Sequence, residues 1–269
     1  MDHDLTHRLS GFAPLSLATL NAKAAMLVRQ DNKYIITAAR LRPALDAFAQ
    51  HFDVLEIAGK RAFSYATLYF DDAHQSAYHD HHQGRRKRGK VRVRSYLDAG
   101  FSYLEVKLKD IRDVTIKKRL RVENDLAALD AAGMAFVDTC FRDQYGAAFG
   151  RPLGPVIGME YDRVTLVAKD GGERMTIDAR LRFSSNHKTC EVSPDIFIME
   201  TKSARGNGLA DKILRKLHVQ PTSRCSKYCV AMAALGEVQR HNQFLPALRR
   251  LDLLGALQMA TQASDAAMA

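Results

Sequence analysis

Residues 89–109, GKVRVRSYLDAGFSYLEVKLK, alternate between charged and apolar positions with a period of two. Successive side chains of a strand point to opposite faces, so the stretch predicts two strands joined by a turn at Asp98-Ala99-Gly100. On the first strand Lys90, Arg92 and Arg94 share a face, with Val91 and Val93 behind them. On the second, Glu105, Lys107 and Lys109 share a face, opposite Leu104, Val106 and Leu108. Cations facing cations across a ladder repel. Such a hairpin either presents one wet, charged face or holds an anion between its rows, and phosphate is a strong partner for Arg and Lys.

The rest of the pattern extends this picture. Residues 26–36 read as a strand that carries Lys33 among apolar neighbours. Leu41, Leu45, Phe48 and Phe52 recur three or four apart, predicting a helix over 38–52 with Thr37 as its N-cap. Strands are predicted at 54–58 and 62–70, followed by a polar connector, DDAHQSAYHDHHQGRRKR, with room for a short helix. After the hairpin, 114–122 is a third cationic strand with Thr115, Lys117, Arg119 and Arg121 on one face. Helix is predicted over 124–149, in two pieces, before Arg151-Pro152-Leu153-Gly154-Pro155 breaks the chain.

A second β-rich half then begins. It reads VIGMEYDRVTLVAK, a hairpin turn at Asp170-Gly171-Gly172, and ERMTIDARLRF with Arg174, Thr176, Asp178 and Arg180 on one face. Residues 195–203 predict a strand with Glu200 and Lys202 on one face, and helices follow at 209–218, 226–236 and 242–254. The expected organisation is a loosely held extension over 1–25, one domain over 26–254 and a frayed tail over 255–269.

Composition sharpens the choice of partner. The 269 residues allow an ample core, and 40 Lys+Arg against 30 Asp+Glu leave a formal charge of +10. That balance favours polyanions: nucleic acid, polyphosphate, nucleotides or an acidic membrane surface. No apolar run is long enough to span a bilayer, and MDHDLTHRLS does not read as a secretory signal, so a cytoplasmic protein is expected. Cys140, Cys190, Cys225 and Cys229 show no C-x-x-C spacing, which fits reduced thiols and not a zinc site. His74, His79, His81 and His82 read as solvated or structural histidines rather than metal ligands. There is no Gly-rich phosphate loop and no dinucleotide fingerprint. If phosphate is bound, side chains on strands bind it, and a wide antiparallel barrel is the way to aim many strand faces at one point.

The ordered set of short motifs resembles the VTC domain, the catalytic domain of the vacuolar transporter chaperone polyphosphate polymerase and its bacterial relatives. That family lies within the triphosphate tunnel metalloenzyme (CYTH-like) superfamily. The first-half pieces are Val28 to Tyr34, Leu68-Tyr69-Phe70-Asp71, Tyr78-His79-Asp80-His81, Gly84-Arg85-Arg86, Lys90 to Arg94 and Leu104 to Lys109. The second half adds Tyr161-Asp162-Arg163, Met175 to Asp178, Glu200-Thr201-Lys202 and Cys225-Ser226-Lys227-Tyr228. The resemblance covers about 26–250, and its specificity lies in the order and spacing of pieces that are individually weak. Two positions depart from the pattern: Asn32 stands where bacterial relatives usually have Arg, and Arg224 where another residue is common.

The resemblance implies an α+β fold, an antiparallel β-barrel tunnel with helices packed outside. It implies phosphate-binding roles for Lys33, Arg92, Arg94, Lys107 and Lys117 in the first half, and for Arg163, Arg174, Lys202, Ser226 and Lys227 in the second. It also implies Glu200 as ligand of a divalent Mn²⁺ or Mg²⁺, and ATP, triphosphate or polyphosphate as substrate, with a membrane protein as a conceivable receiver of product. The residue types suit the chemistry, because phosphoryl transfer needs positioning and charge neutralisation more than covalent help. Other roles stay open for some of them. Glu200 and Glu105 can serve as ion-pair partners, the role favoured for Glu105, and Ser226 can cap a helix. Arg85 to Arg88 can form an exposed rim, and Tyr69 and Tyr78 can be wall residues.

Three function classes follow: an ATP-dependent polyphosphate polymerase, a tunnel triphosphatase acting with water, and a non-catalytic polyanion-binding module. Specific nucleic-acid binding is not expected, since bases are gripped by stacked aromatics and the basic strands hold only Tyr96, Phe101 and Tyr103 near a turn.

Overall fold

The computed structural model describes residues 7–23, 30–110, 114–123, 128–186 and 188–260. Its centre is an eleven-stranded sheet. The strands are β1 (Pro14–Leu15), β2 (Gln30–Thr37), β3 (Phe52–Leu55), β4 (Ala62–Asp71), β5 (Arg88–Tyr96), β6 (Phe101–Lys109), β7 (Thr115–Val122), β8 (Gly154–Ala168), β9 (Glu173–Ser185), β10 (Lys188–Glu191) and β11 (Ile196–Ser203). The helices are α1 (Leu17–Lys23), α2 (Ala38–Ala49), α3 (Ser76–His82), α4 (Ala131–Tyr145), α5 (Leu209–Lys216), α6 (Lys227–Ala234) and α7 (Leu245–Arg250). The main path runs β2-β11-β9-β8-β4-β5-β6-β7, antiparallel at every step, while the short β1–β3 pairing is parallel. No ladder among the described residues joins the β2 and β7 ends.

The sheet is strongly curled. Strands β11 and β6 are five ladder steps apart, about 24 Å in a flat sheet. Yet Glu200 on β11 and Lys33 on β2 both act electrostatically on Lys107 of β6. Irregularities in register at Tyr69/Phe70 and at Glu160/Asp162 lie along the path, and such bulges bend a strand and raise its twist.

Each face has its own core. Behind β5 and β6, Val91, Val93, Leu104, Val106 and Leu108 pack on Val137 and Cys140 of α4. Behind β2, β9 and β11, Tyr34, Ile36, Met175, Ile177, Phe197 and Met199 pack on α2 and α5. The inner face is divided. Ile35, Ile157, Met159 and Ile198 at one end meet α6, whose residues from Tyr228 to Ala234 are all buried. A helix apolar all round belongs in a core. The remainder of the inner face carries the charged side chains.

Several expectations change. Within the span read as a loose extension, Leu9, Phe12, Leu15 and Leu20 are buried, and β1 adds to β3. Within the span read as a frayed tail, residues 255–260 are helical and bury Leu257 and Ala260. Thr37 occupies the N-cap position of α2 but its side chain makes no capping hydrogen bond. The strand β10 lay unrecognised between predicted elements. Predicted segments at 26–29 and 124–127 lie outside the described residues.

Candidate functional site

Strand alternation aims Lys90, Arg92 and Arg94 of β5 inward, and register sets Lys90 opposite Lys107 and Arg92 opposite Glu105. On the next ladder Lys107 faces Lys117. At the far end of the path, Glu200 of β11 faces Lys33 of β2, and Lys202 faces both Asp31 of β2 and Arg174 of β9. A hairpin seen in isolation shows cations and a single carboxylate, Glu105. The curled sheet brings three such rows around one lumen, and each row has its own carboxylate.

Glu105 is the first of these, 1% exposed. Arg92 donates to its Oε2 from Nε at 2.8 Å and from Nη2 at 2.6 Å, Arg94 stands 4.0 Å away, and Lys117 pairs with Oε1. Burial opposes ionisation of Glu105, but Arg92, Arg94 and Lys117 together outweigh it and hold the carboxyl below the usual range. Arg92 also donates to the Tyr69 hydroxyl at 2.8 Å. Burial raises the Tyr69 phenol, yet Arg92, Arg94 and Lys90 bring it net downward.

Asp178 is the second, also 1% exposed. Arg163 grips it with two parallel bonds, Nε to Oδ1 at 2.6 Å and Nη2 to Oδ2 at 2.8 Å. Lys227, the first residue of α6, reaches Oδ2 at 2.6 Å. Burial again opposes ionisation, and Arg163 and Lys227 override it. Glu200 is the third, with Lys202 at 3.1 Å and Lys33 at 3.9 Å. Burial is the largest influence on Glu200, and Lys202, Lys33, Lys107 and Lys227 outweigh it, so the group is ionised well below the usual range.

The lumen cations outnumber these carboxylates, and the excess shows in the lysines. Lys107 is exposed, with Lys33 and Arg92 near enough to repel it and Glu200 and Asp31 near enough to attract it. Desolvation, then repulsion by Lys33 and Arg92, pushes its ammonium down to about 7 against the pull of Glu200 and Asp31. Desolvation likewise lowers Lys117 and Lys202 to about 8. Lys33 goes the other way: Glu200 and Asp31 more than offset its burial and raise it. Four buried donor atoms along the same inner face, Thr67 Oγ1, Arg94 Nε, Tyr161 Oη and Thr176 Oγ1, have no hydrogen-bond partner among the described residues. Hydroxyls and a guanidinium can all donate, which is what an anion requires.

Ser226 has a double engagement. Its hydroxyl accepts from Cys229 N at 3.4 Å as N-cap of α6, and from Lys90 Nζ at 2.6 Å. Lys90 also meets His81 Nδ1 at 3.0 Å. Burial and the cations Lys90, Arg88 and Lys107 keep that imidazole neutral by lowering it to about 2. His82 meets Asn242 at 2.9 Å, and no group of three metal-ligating side chains occurs among the described residues. Among the described residues the lumen therefore offers no protein-only metal cage. Glu200, ionised, with Asp31 on the neighbouring strand, fits instead a hard cation that takes one or two carboxylates and fills its shell with water and phosphate oxygens.

The sequence reading missed or misplaced four features. The sequence pattern puts Asp178 and Lys90 on charged faces but assigns them no role, although each lies two or four residues along a strand from a recognised cation. Arg180 does not share the face of Arg174 and Asp178: a bulge with φ 51° at Arg180 turns its side chain to Asp162, on the opposite side of β8. Asn32 also points away from the lumen. Its amide donates to Gly206 O at 2.8 Å and to Asp211 at 3.1 Å, beside Tyr34 and Thr201, which each donate to the same carboxylate at 2.6 Å. Arg224 makes its hydrogen bond to Gln243. The motifs at 68–71 and 225–228 do meet, through Tyr228 donating to Asp71 at 2.6 Å and packing on Tyr69.

Comparison with known proteins adds the following. The family model for the VTC domain matches residues 28–236. Among solved structures, a putative adenylyl cyclase from Hippeastrum, described as having a dominant triphosphatase activity, is similar at 15% identity and TM-score 0.45, over 78% of this chain and 97% of that one. The PH1819 protein of Pyrococcus horikoshii is similar at 11% identity and TM-score 0.45, over 76% and 98% of the two chains. The PH1012 protein of the same organism is similar at 13% identity and TM-score 0.40, over 72% and 96%. No curated protein matches. No helix among the described residues is long and apolar enough to cross a membrane.

Proposed function

The chain belongs to the VTC domain family, and from that premise we propose that its lumen binds the phosphate chain of ATP and of polyphosphate and transfers the γ-phosphoryl group onto the growing chain. The observation that carries this reading is the state of the three carboxylates. Glu105, Asp178 and Glu200 are each held by two or more cations and are all shifted toward the anion. A general base works best with a pKa near the operating pH, so these groups are poor activators of water. A terminal phosphate oxygen is already anionic and needs no base. Attack by that oxygen on the γ-phosphorus forms a new P–O–P link, breaks the bond to the β-bridging oxygen and releases ADP.

Within that reading the chain's residues position and neutralise. Arg92 and Arg163, each oriented by a buried carboxylate, keep further donors for phosphate oxygens. Lys33, Lys107, Lys117, Lys202 and Lys227 supply point charges, and Arg94, Arg174 and the Ser226 hydroxyl extend the donor set. Glu200, with Asp31 near, would hold Mn²⁺ or Mg²⁺, which when bound neutralises charge on the transferring group. A triphosphatase is the second reading; it needs an activated water, for which the three carboxylates are poor bases and Lys107, lowered to about 7, is the candidate.

The test is product analysis with γ-labelled ATP and Mn²⁺ or Mg²⁺. Label appearing in a chain that grows with time, with ADP released in step, is the expected result. Label appearing only as orthophosphate would replace this reading with the hydrolytic one.

A further inference from the structure

The mouth of the lumen away from α6 is built differently from its centre. Here the inward faces of the β5–β6 hairpin carry Tyr96, Phe101 and Tyr103 instead of cations, and Tyr65 of β4 lies beside them. Tyr96 stacks on Phe101 at 4.8 Å between ring centres, and Tyr65 sits 5.0 Å from Tyr96. Two exposed arginines of β7 lie over this group, Arg119 at 4.8 Å from the Tyr103 ring and Arg121 at 5.2 Å from the Phe101 ring. Tyr103 stands opposite Arg94 in register, two pairs along the strands from Arg92 and Glu105 and on the same face. The platform therefore continues directly from the phosphate-binding rows. Half-buried rings with exposed planar cations above them do little for a bare polyphosphate, which has no π face. They suit a flat heteroaromatic ring attached to a phosphate chain.

We propose that Tyr96, Phe101, Tyr103, Arg119 and Arg121 form the nucleobase subsite, stacking the base of a nucleoside triphosphate whose phosphates lie deeper in the lumen. The base slides between guanidinium and ring, or takes the ring face that a guanidinium now covers. Stacking is tolerant of base identity, so the subsite distinguishes nucleotides from inorganic triphosphate more sharply than it distinguishes one nucleotide from another. This inference rests on the phosphate-binding reading of the same lumen.

Calorimetric titration without metal, at fixed ionic strength, separates the two. The probes are ATP, ribose 5-triphosphate and tripolyphosphate. The wild-type protein is expected to bind ATP roughly tenfold or more tighter than ribose 5-triphosphate, the scale of one base–aromatic stack. Tyr103→Leu is expected to remove most of that ratio while leaving tripolyphosphate affinity within about twofold, and Tyr103→Phe is expected to restore it. Equal affinity of the wild type for ATP and ribose 5-triphosphate would overturn the subsite, with no variant needed. Parallel losses for ATP and tripolyphosphate in Tyr103→Leu would overturn it too. Absence of tripolyphosphate binding by the wild type would overturn the phosphate-binding reading beneath it.

Discussion

Lys107 and Glu200 are the residues on which the chemistry of the lumen is most exposed to test. Lys107 is lowered to about 7 because protein crowds it and Lys33 and Arg92 repel it. Its charge is therefore easily lost as pH rises in the ligand-free protein. A bound phosphate chain favours the charged form, so binding near pH 8 takes up protons and affinity falls as pH rises past 7. Titrations of tripolyphosphate at pH 8 in buffers of different ionisation enthalpy should show this uptake, and Lys107→Met should show less of it; identical uptake in both proteins would remove Lys107 from the site. The same variant should raise the melting temperature of the empty protein, since it deletes an ammonium that the fold disfavours. Arg92→Ala should lower it, because buried Glu105 loses two charged hydrogen bonds. Glu200→Gln should cut activity by ~10² to 10³ and raise the metal concentration needed for what remains. If Glu200 only restrains Lys202 and Lys33, the metal titration curves of variant and wild type will superimpose.

At the scale of elements, the charged hairpin was legible because its alternation is strict: a turn at 98–100 and two nine-residue strands follow from polarity alone. An ion-pairing role for Glu105 was legible as well, but its partner Arg92 is set by the register, which alternation alone leaves open. What periodicity cannot show is a bulge. Arg180 keeps the period of Arg174 and Asp178 on paper, but one residue in left-handed backbone reverses its side. Nor could strand patterning place Ser226 and Lys227, whose position depends on α6 docking into the curled sheet. Gly89 marks where α4 presses on β5. A Cβ there would stand 2.4 Å from the Phe141 ring. Gly89→Ala should cost about 1–3 kcal/mol by overpacking, read as a lower melting temperature. Tripolyphosphate affinity should be unchanged, because residue 89 faces away from the lumen; a matching loss of affinity would show that α4 sets the lumen's shape.

For the molecule as a whole, a charge of +10 predicts attraction to any polyanion, but the lumen and the outer surface should respond differently to salt. Duplex DNA, limited to the surface, should stabilise the protein weakly and lose its effect at moderate salt. Tripolyphosphate, enclosed by paired cations, should continue to raise the melting temperature there. DNA binding that outlasts tripolyphosphate binding as salt rises would favour a polyanion-binding module over an enzyme. The curl that makes a lumen at all was the least legible feature, since it brings together strands remote in sequence. The most direct measurement is therefore a metal-free tripolyphosphate titration of wild type, Arg92→Ala and Arg163→Ala, residues on strands far apart in the chain. One-to-one binding by the wild type, weakened roughly 10- to 100-fold in each folded variant, the scale of lost charged hydrogen bonds, is the predicted result. Binding that both variants leave intact would contradict it.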